Sequence, residues 1–272
     1  MNIFKIAATN SGDLEQRLIK NKAHLTSAES STLDRFVNGV RDFSSIGINM
    51  RQTVLIAFIT TSEYQNIHDW AESISLISGQ AADEILQLKL GSFYERRLCF
   101  DDSFENGRTF RYGLLIKSGV GAKKYGNYCS IFKRERLVDL DLAYLMRDSL
   151  TAYVVPGPAL NETALAAEIA LDEGKHFLAG IKHYGQVVTT PEISWDSLLC
   201  SDNEYIEAIF TGKVSSNDFE EVRILKSDYD LYYYFAFESF REKLDEATRA
   251  LIEGFAFIVK LLKARGVRLE VV

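Results

Sequence analysis

The chain has 272 residues, 47% of them hydrophobic and 25% charged, enough to bury a sizeable core and too apolar for wholesale disorder. A net charge of −7 lacks the concentrated basic face that an electrostatic binder of duplex DNA needs, so no nucleic-acid partner is expected. No apolar run approaches the roughly 20 residues of a membrane-spanning helix, and the first ten residues lack the apolar stretch of a classical signal peptide, so no membrane partner is expected.

Residues 1–47 are rich in Ser, Thr, Asn and Ala, with short helical patterns around 13–22 and 31–40. They read as a loosely packed N-terminal extension or helical cap, of a composition that uncleaved bacterial secretion signals share. The main domain is expected over 48–272. The β-branched, apolar run TVLIAFITT at 53–61 predicts a buried strand. Helical patterns follow, with apolar positions Ile67, Trp70, Ile74 and Ile77, and again over 82–90. Segments 110–117 (FRYGLLIK) and 125–133 (YGNYCSIFK) read as strands, with Gly119 and Gly121 free to turn the chain between them as a hairpin.

Residues 160–184 carry a helical pattern that ends near Gly185. Two more strands are expected at 205–210 (YIEAIF) and 221–225 (EVRIL), around a turn at Gly212. A long amphipathic helix is predicted over 238–265, its stripe formed by Phe240, Leu244, Leu251, Phe255, Ile258 and Leu262. Gly266 supplies a left-handed C-cap, and 267–272 alternates as a closing strand. Strands and helices do not alternate regularly, which predicts an α+β fold.

Three widely spaced cysteines, Cys99, Cys129 and Cys200, give no disulfide framework and suit a chain that folds in a reducing cytosol. His24, His68, His176 and His183 complete no metal-ligand spacing, so no metal is expected. There is no P-loop and no GxSxG elbow. The KSGVGAKK stretch sets Lys117, Lys123 and Lys124 around flexible glycines, but no helix opens after it to complete a phosphate cradle. Glu173-Gly174-Lys175 spells ExK without a strand-borne Asp before it, which leaves a nuclease reading with little behind it. The tyrosines at 229, 232, 233 and 234 lack the interleaved basic residues of a base-stacking platform.

Glu207 stands out. Alternation along YIEAIF puts Tyr205, Glu207 and Ile209 on one face of the strand. A mid-strand carboxylate among apolar neighbours is costly unless it lies at an edge, in a cleft, or paired. The ordinary reading is a solvent-facing charge; the other is a functional carboxylate in a cleft.

The stretch EYIEAIFTGKVSSNDFEEVRI resembles the closing segment of ADP-ribosyltransferases, in which one strand carries a catalytic Glu and a V–x–x–I strand follows a short turn. A wider ordered set of motifs resembles a group of bacterial toxin-like proteins. It comprises Phe93-Tyr94-Glu95-Arg96-Arg97, Arg111-Tyr112-Gly113, Tyr125-Gly126 with Cys129, Asp148-Ser149, Tyr205-Ile206-Glu207-Ala208, and Gly266-Val267 with Leu269-Glu270. The resemblance spans 50–272. It implies an ADP-ribosyltransferase-like split β-sandwich with a helical N-terminal region. The implied activity is mono-ADP-ribosyl transfer from NAD, as substrate, to a protein acceptor by a toxin or translocated effector.

The same resemblance assigns roles. Glu207 would stabilise the oxocarbenium-like state through the ribose 2′-hydroxyl, with Glu220 of FEEVRI as its rival. Arg51 or Arg111 would hold the NAD phosphates, with Arg96 and Arg97 as further candidates at a helix end. Tyr112 would stack on a ring and Ser130 would orient the ribose, although the Ser-Thr-Ser triplet of the family is missing. Tyr205 stands where related transferases carry Glu or Gln for an arginine acceptor, which leaves a hydroxyl side chain or a nucleobase open. An acidic surface steers a basic target, and ubiquitin is one acceptor with a basic face. The competing reading is a non-catalytic interaction module on a degenerate transferase scaffold.

Overall fold

The computed structural model describes residues 1–239 and 244–272. Its strands, in chain order, are β1 (Ser45–Met50), β2 (Arg111–Ile116), β3 (Tyr128–Phe132), β4 (Leu142–Leu145), β5 (Val154–Val155), β6 (Ala159–Leu160), β7 (Ile169–Leu171), β8 (Glu207–Phe210), β9 (Phe219–Ile224) and β10 (Arg268–Val271). Eight of them form one continuous sheet in the order β10-β9-β3-β1-β2-β8-β4-β7, while β5 and β6 pair separately. Every pairing in the large sheet is antiparallel except β9 with β10. The α+β class therefore holds, with one large sheet where the resemblance implies two facing ones.

Register decides what each face of this sheet meets. Ile46, Ile48, Leu115, Tyr128, Phe132, Tyr144, Ala208 and Phe210 share one face and enter the principal core. Helices Ser27–Phe43, Gln52–Thr61, Lys175–Val187 and Glu246–Arg265 supply the other side of that core. The opposite face carries Tyr112, Ala143, Leu145, Glu207 and Ile209, and packs partly on Phe100, Phe104 and Phe110. What those rings leave uncovered around Glu207 becomes the cleft described below.

Several expectations change. The run at 53–61 is not a strand but most of helix Gln52–Thr61, which buries Leu55, Phe58 and Ile59. A short apolar run has no period of its own, and only its partners decide between helix and strand. The strand lies just upstream, as β1, where SIGINM pairs with both β2 and β3. Segments 110–117 and 125–133 do form strands, yet β1 lies between them and no hairpin exists.

The glycine-rich connection instead folds over the end of β1 and is held by one side chain. Asn49 donates to the carbonyls of Val120 (2.8 Å) and Gly126 (2.9 Å) and accepts the Ala122 N–H (3.0 Å). Gly121 is required there twice over. Its φ is +67°, and a Cβ would stand 2.3 Å from the Asn49 side-chain oxygen.

Residues 1–47 are no loose extension. Helices Ile3–Lys22 and Ser27–Phe43 bury Leu14, Leu18, Leu33, Phe36, Val37 and Val40 in the principal core. The spacing 33, 36, 37, 40 is itself a helical stripe, and a Thr26–Glu29 capping box starts that second helix. Residues 160–184 hold two helices, Glu162–Ala167 and the start of Lys175–Val187, with the edge strand β7 between them. Of the predicted helix 238–265, residues 246–265 form helix Glu246–Arg265, while a separate helix upstream, Lys226–Glu238, carries the tyrosine run. Phe240 lies outside the described residues. Gly266 caps the last helix at φ 68°, as its sequence position requires. Among the described residues no helix is long and apolar enough to cross a membrane.

Candidate functional site

A cleft of about 650 Å³ lies on the Glu207 face, lined by Arg97, Tyr112, Tyr125, Asp148, Tyr205 and Glu207 together with Phe93, Lys124, Arg147 and Lys182. Glu207 sits on an interior strand, in register with Leu114 of β2 and Leu145 of β4. Only 6% of it is exposed, so the reading as a solvent-facing charge fails. Its carboxylate accepts the Ser149 N–H at 2.7 Å. Burial, helped by the nearby Asp148 charge, pushes its pKa up to about 7, against the opposing pull of Arg97 and Ser149.

Asp148 is treated differently by its surroundings. It caps the short helix Ser149–Ala152, and its Oδ1 accepts the N–H groups of Leu150 (3.1 Å) and Thr151 (2.8 Å). Its Oδ2 accepts the Tyr205 hydroxyl at 2.7 Å. Burial opposes its ionisation, but the Tyr205 and Thr151 bonds and the Arg97 charge outweigh burial and hold its pKa below the usual carboxylate value. Because Tyr205 donates to Asp148, the Tyr125 hydroxyl 2.8 Å away must be the donor to Tyr205. Two carboxylates thus share one site with their titrations driven apart, the usual mark of divided acid and base roles.

The walls carry cations in two conditions. Arg97 lies with its guanidinium carbon 3.9 Å from the Tyr112 ring centroid and donates to Asp101 (3.2 Å) and to the Ser149 hydroxyl (3.4 Å). Lys182 is likewise engaged, donating to the carbonyls of Met146 and Tyr205 at 2.6 Å each and pairing with Glu204 at 2.5 Å. Lys124 is different. Its ammonium stands 4.8 Å over the Tyr205 ring and 5.0 Å over the Tyr125 ring, and among the described residues it has no carboxylate partner. The Lys124 backbone N–H is anchored on Asp202 at 2.8 Å, so the loop holds that charge at the cleft.

Of the residues singled out from the sequence, the fold brings Glu207, Tyr112, Tyr205 and Arg97 together here. Arg111 pairs in register with Phe210, so strand alternation turns it to the other face. There it is held by the carbonyls of Tyr64 (3.1 Å) and Thr109 (3.2 Å) and by Asp69 (3.3 Å). Arg51 is exposed at the N-cap of helix Gln52–Thr61 and does not line the cleft. Ser130 shares register with Ile48 and Val222 on the principal-core face, its buried hydroxyl without a partner among the described residues. Glu220 is exposed on β9, and three strands separate β9 from β8. The buried acid on β9 is its neighbour Glu221, which pairs with Arg223 and Arg268.

Asp101, buried behind the cleft against Arg97 and His68, escaped the sequence reading, while His68 was weighed only as a metal ligand and Asp148-Ser149 carried no role in it. The i,i+4 spacing of Arg97 and Asp101 was available as a signal. Among the described residues, no three His, Cys, Asp or Glu side chains are grouped to hold a metal ion. His176 and His183 share helix Lys175–Val187, and burial lowers the pKa of both, that of His176 to about 4. No protein-family model matches the chain, and a search of curated proteins returned no significant match.

Proposed function

We propose that the chain is an NAD-dependent mono-ADP-ribosyltransferase acting on a protein, built on an ADP-ribosyltransferase-like scaffold, with Glu207 as the catalytic carboxylate. One observation carries this reading: a carboxylate on an interior strand of the sheet, buried against a cleft whose walls hold tyrosines and an ammonium that, among the described residues, has no carboxylate partner. The cleft volume lies in the range of about 300–1,000 Å³ usual for organic ligands. NAD brings a cationic nicotinamide leaving group and a diphosphate. The residues present suit those features, with the aromatic side chains of Tyr112, Tyr125 and Tyr205 on the wall and Lys124 a charge for phosphate.

Ionised Glu207 would accept a ribose hydroxyl proton in a hydrogen bond and oppose the positive charge growing on the sugar. That interaction is strong because the carboxylate itself is buried. The Ser149 N–H fixes the carboxylate's direction, so no reorganisation is needed as the charge develops. Asp148, held ionised, adds a second negative charge, while the Tyr205 hydroxyl is committed to Asp148 and is not free for an arginine acceptor. An acceptor hydroxyl, on a basic protein such as ubiquitin, fits that environment better than a second cation beside Lys124.

Turnover at saturating NAD should rise with pH through about 7, since burial places the Glu207 titration there and the ionised form is the active one. A rate unchanged across that range removes Glu207 from the chemistry. Lys124→Ala should raise KM for NAD about tenfold with kcat nearly unchanged, the cost of one charge-assisted phosphate contact. The decisive experiment incubates the protein with labelled NAD and a cell lysate, and separately with purified ubiquitin, and identifies modified proteins by mass spectrometry. Absence of calorimetric NAD binding at millimolar concentration, with retained binding to a protein partner, would instead make the chain a non-catalytic interaction module.

A further inference from the structure

Behind the cleft lies a buried charged cluster centred on Asp101, a carboxylate that the chemistry above does not use. Three elements build it. Helix Ile67–Ser78 is capped by Asn66, whose side-chain oxygen accepts the His68 N–H at 2.8 Å and fixes His68 in the first turn. Helix Tyr94–Asp102 places Arg97 and Asp101 one turn apart, both buried. Strand β2 delivers the Tyr112 hydroxyl. All three converge on one carboxylate, 1% exposed: Asp101 accepts from Tyr112 at 2.5 Å, meets His68 Nε2 at 2.7 Å and accepts from Arg97 at 3.2 Å.

We infer that Asp101 is a positioning residue for the Glu207 site, holding Arg97 and Tyr112 in place and offsetting part of the guanidinium charge beside Glu207. The connection is continuous. Asp101 fixes one end of the Arg97 fork, the other end donates to the Ser149 hydroxyl, and the Ser149 N–H holds Glu207. Arg97 and Glu207 also feel each other's charge directly. Without Asp101 that charge would stand alone in a poorly hydrated region and draw Glu207 toward its ionised form. With Asp101 present, the pull of Arg97 on Glu207 is weakened but not abolished, and the Asp148 anion opposes it. The Tyr112, Tyr125 and Tyr205 hydroxyls also face Glu207, and burial is the largest cause raising the pKa of each. Lys124, Arg147 and Lys182 are the other cations on the cleft wall. His68 faces Asp101 at the back of the cluster.

This inference rests on the proposed role of Glu207 for its catalytic meaning, but its test does not need catalysis. Asp101→Asn is isosteric, keeps Oδ1 for Arg97 and Tyr112, and removes the charge, turning an amide NH2 toward His68 Nε2 in place of Oδ2. The measurement is the titration of the Glu207 side-chain carboxyl by carbon NMR, assigned by difference with Glu207→Gln. In Asp101→Asn the midpoint should fall by about one pH unit or more, as the uncompensated guanidinium acts on Glu207. In the double variant Arg97→Gln with Asp101→Asn, which removes both charges together, it should return to within about half a unit of the starting protein.

An unchanged midpoint in the single variant overturns the inference. If the single variant does not fold, the double variant decides: a midpoint displaced upward by about one pH unit or more shows that Arg97 acted uncompensated and overturns it equally. Should the protein turn over NAD, the acid limb of the kcat profile must move with the same sign while KM stays fixed. Should it not, the NMR result stands by itself, so failure of the transferase reading and failure of this inference remain distinguishable.

Discussion

Glu207→Gln should abolish turnover of NAD and, at pH 8, make the protein more stable. The loss of activity follows from removing the carboxylate assigned to the sugar, and about a hundredfold to a thousandfold is the usual cost of deleting such a group. The gain in stability follows from linkage. Folding raises the Glu207 pKa from 4.5 to about 7, so the folded chain binds this proton more tightly than the unfolded one. That contribution is complete below 4.5 and is lost as pH rises through about 7, above which the native state holds a buried anion.

The interval from 4.5 to about 7 corresponds to about 3 kcal/mol, which a neutral Gln avoids while its oxygen still accepts the Ser149 N–H. Thermal melts of the two proteins should therefore separate by several degrees at pH 8 and converge on approach to pH 4.5. Activity retained in the variant removes the catalytic assignment. A variant melting lower than the parent at pH 8 shows instead that the carboxylate was a stabilising partner, and the idea of a strained functional group goes with it. A residue whose replacement stabilises the fold while destroying activity is what a site held against its own stability requires.

How much of this was legible beforehand depends on whether the information is local. Glu207 was, because a carboxylate in mid-strand conflicts with its neighbours and the conflict is visible in six letters. The cap at Gly266 and the stripe Leu33, Phe36, Val37, Val40 are local too, although the polar residues between the stripe positions masked it. Arg111 and Tyr112 show where local information ends. Alternation states that they point to opposite faces, but only the pairing of Tyr112 with Ile209 and of Arg111 with Phe210 says which face meets the cleft.

The same limit hid the cluster around Asp101, whose partners come from positions 68, 97 and 112 on three separate elements. It also hid β1. Nothing in SIGINM competes with the more apolar TVLIAFITT for a strand assignment until the sheet order requires a partner between β2 and β3. Glu220 and Glu221 differ by one position and have opposite fates for the same reason.

Gly107→Ala should be among the most damaging small substitutions in the chain. Gly107 opens the short 3-10 turn Gly107–Thr109 a few residues after helix Tyr94–Asp102, and the chain folds back so closely that an added Cβ would stand 1.9 Å from the Asp101 carbonyl oxygen. That oxygen belongs to backbone, which also accepts the Phe104 N–H at 3.2 Å, so no flexible side chain can give way. Overpacking of this kind costs about 3 kcal/mol. The chain can relieve it only by moving Asp101, and Arg97 and Tyr112 must follow. Denaturant melts should therefore show a large loss of stability together with a displaced Glu207 titration.

Gly185→Ala is the matching control. That position is an exposed turn of helix Lys175–Val187 with nothing within 4 Å of an added Cβ, so Ala should stabilise by about 0.5–1 kcal/mol through helix propensity alone. If the two substitutions have similar effects, the close approach at Asp101 is not what holds the cluster, and the cleft's back wall must be set from β2 instead.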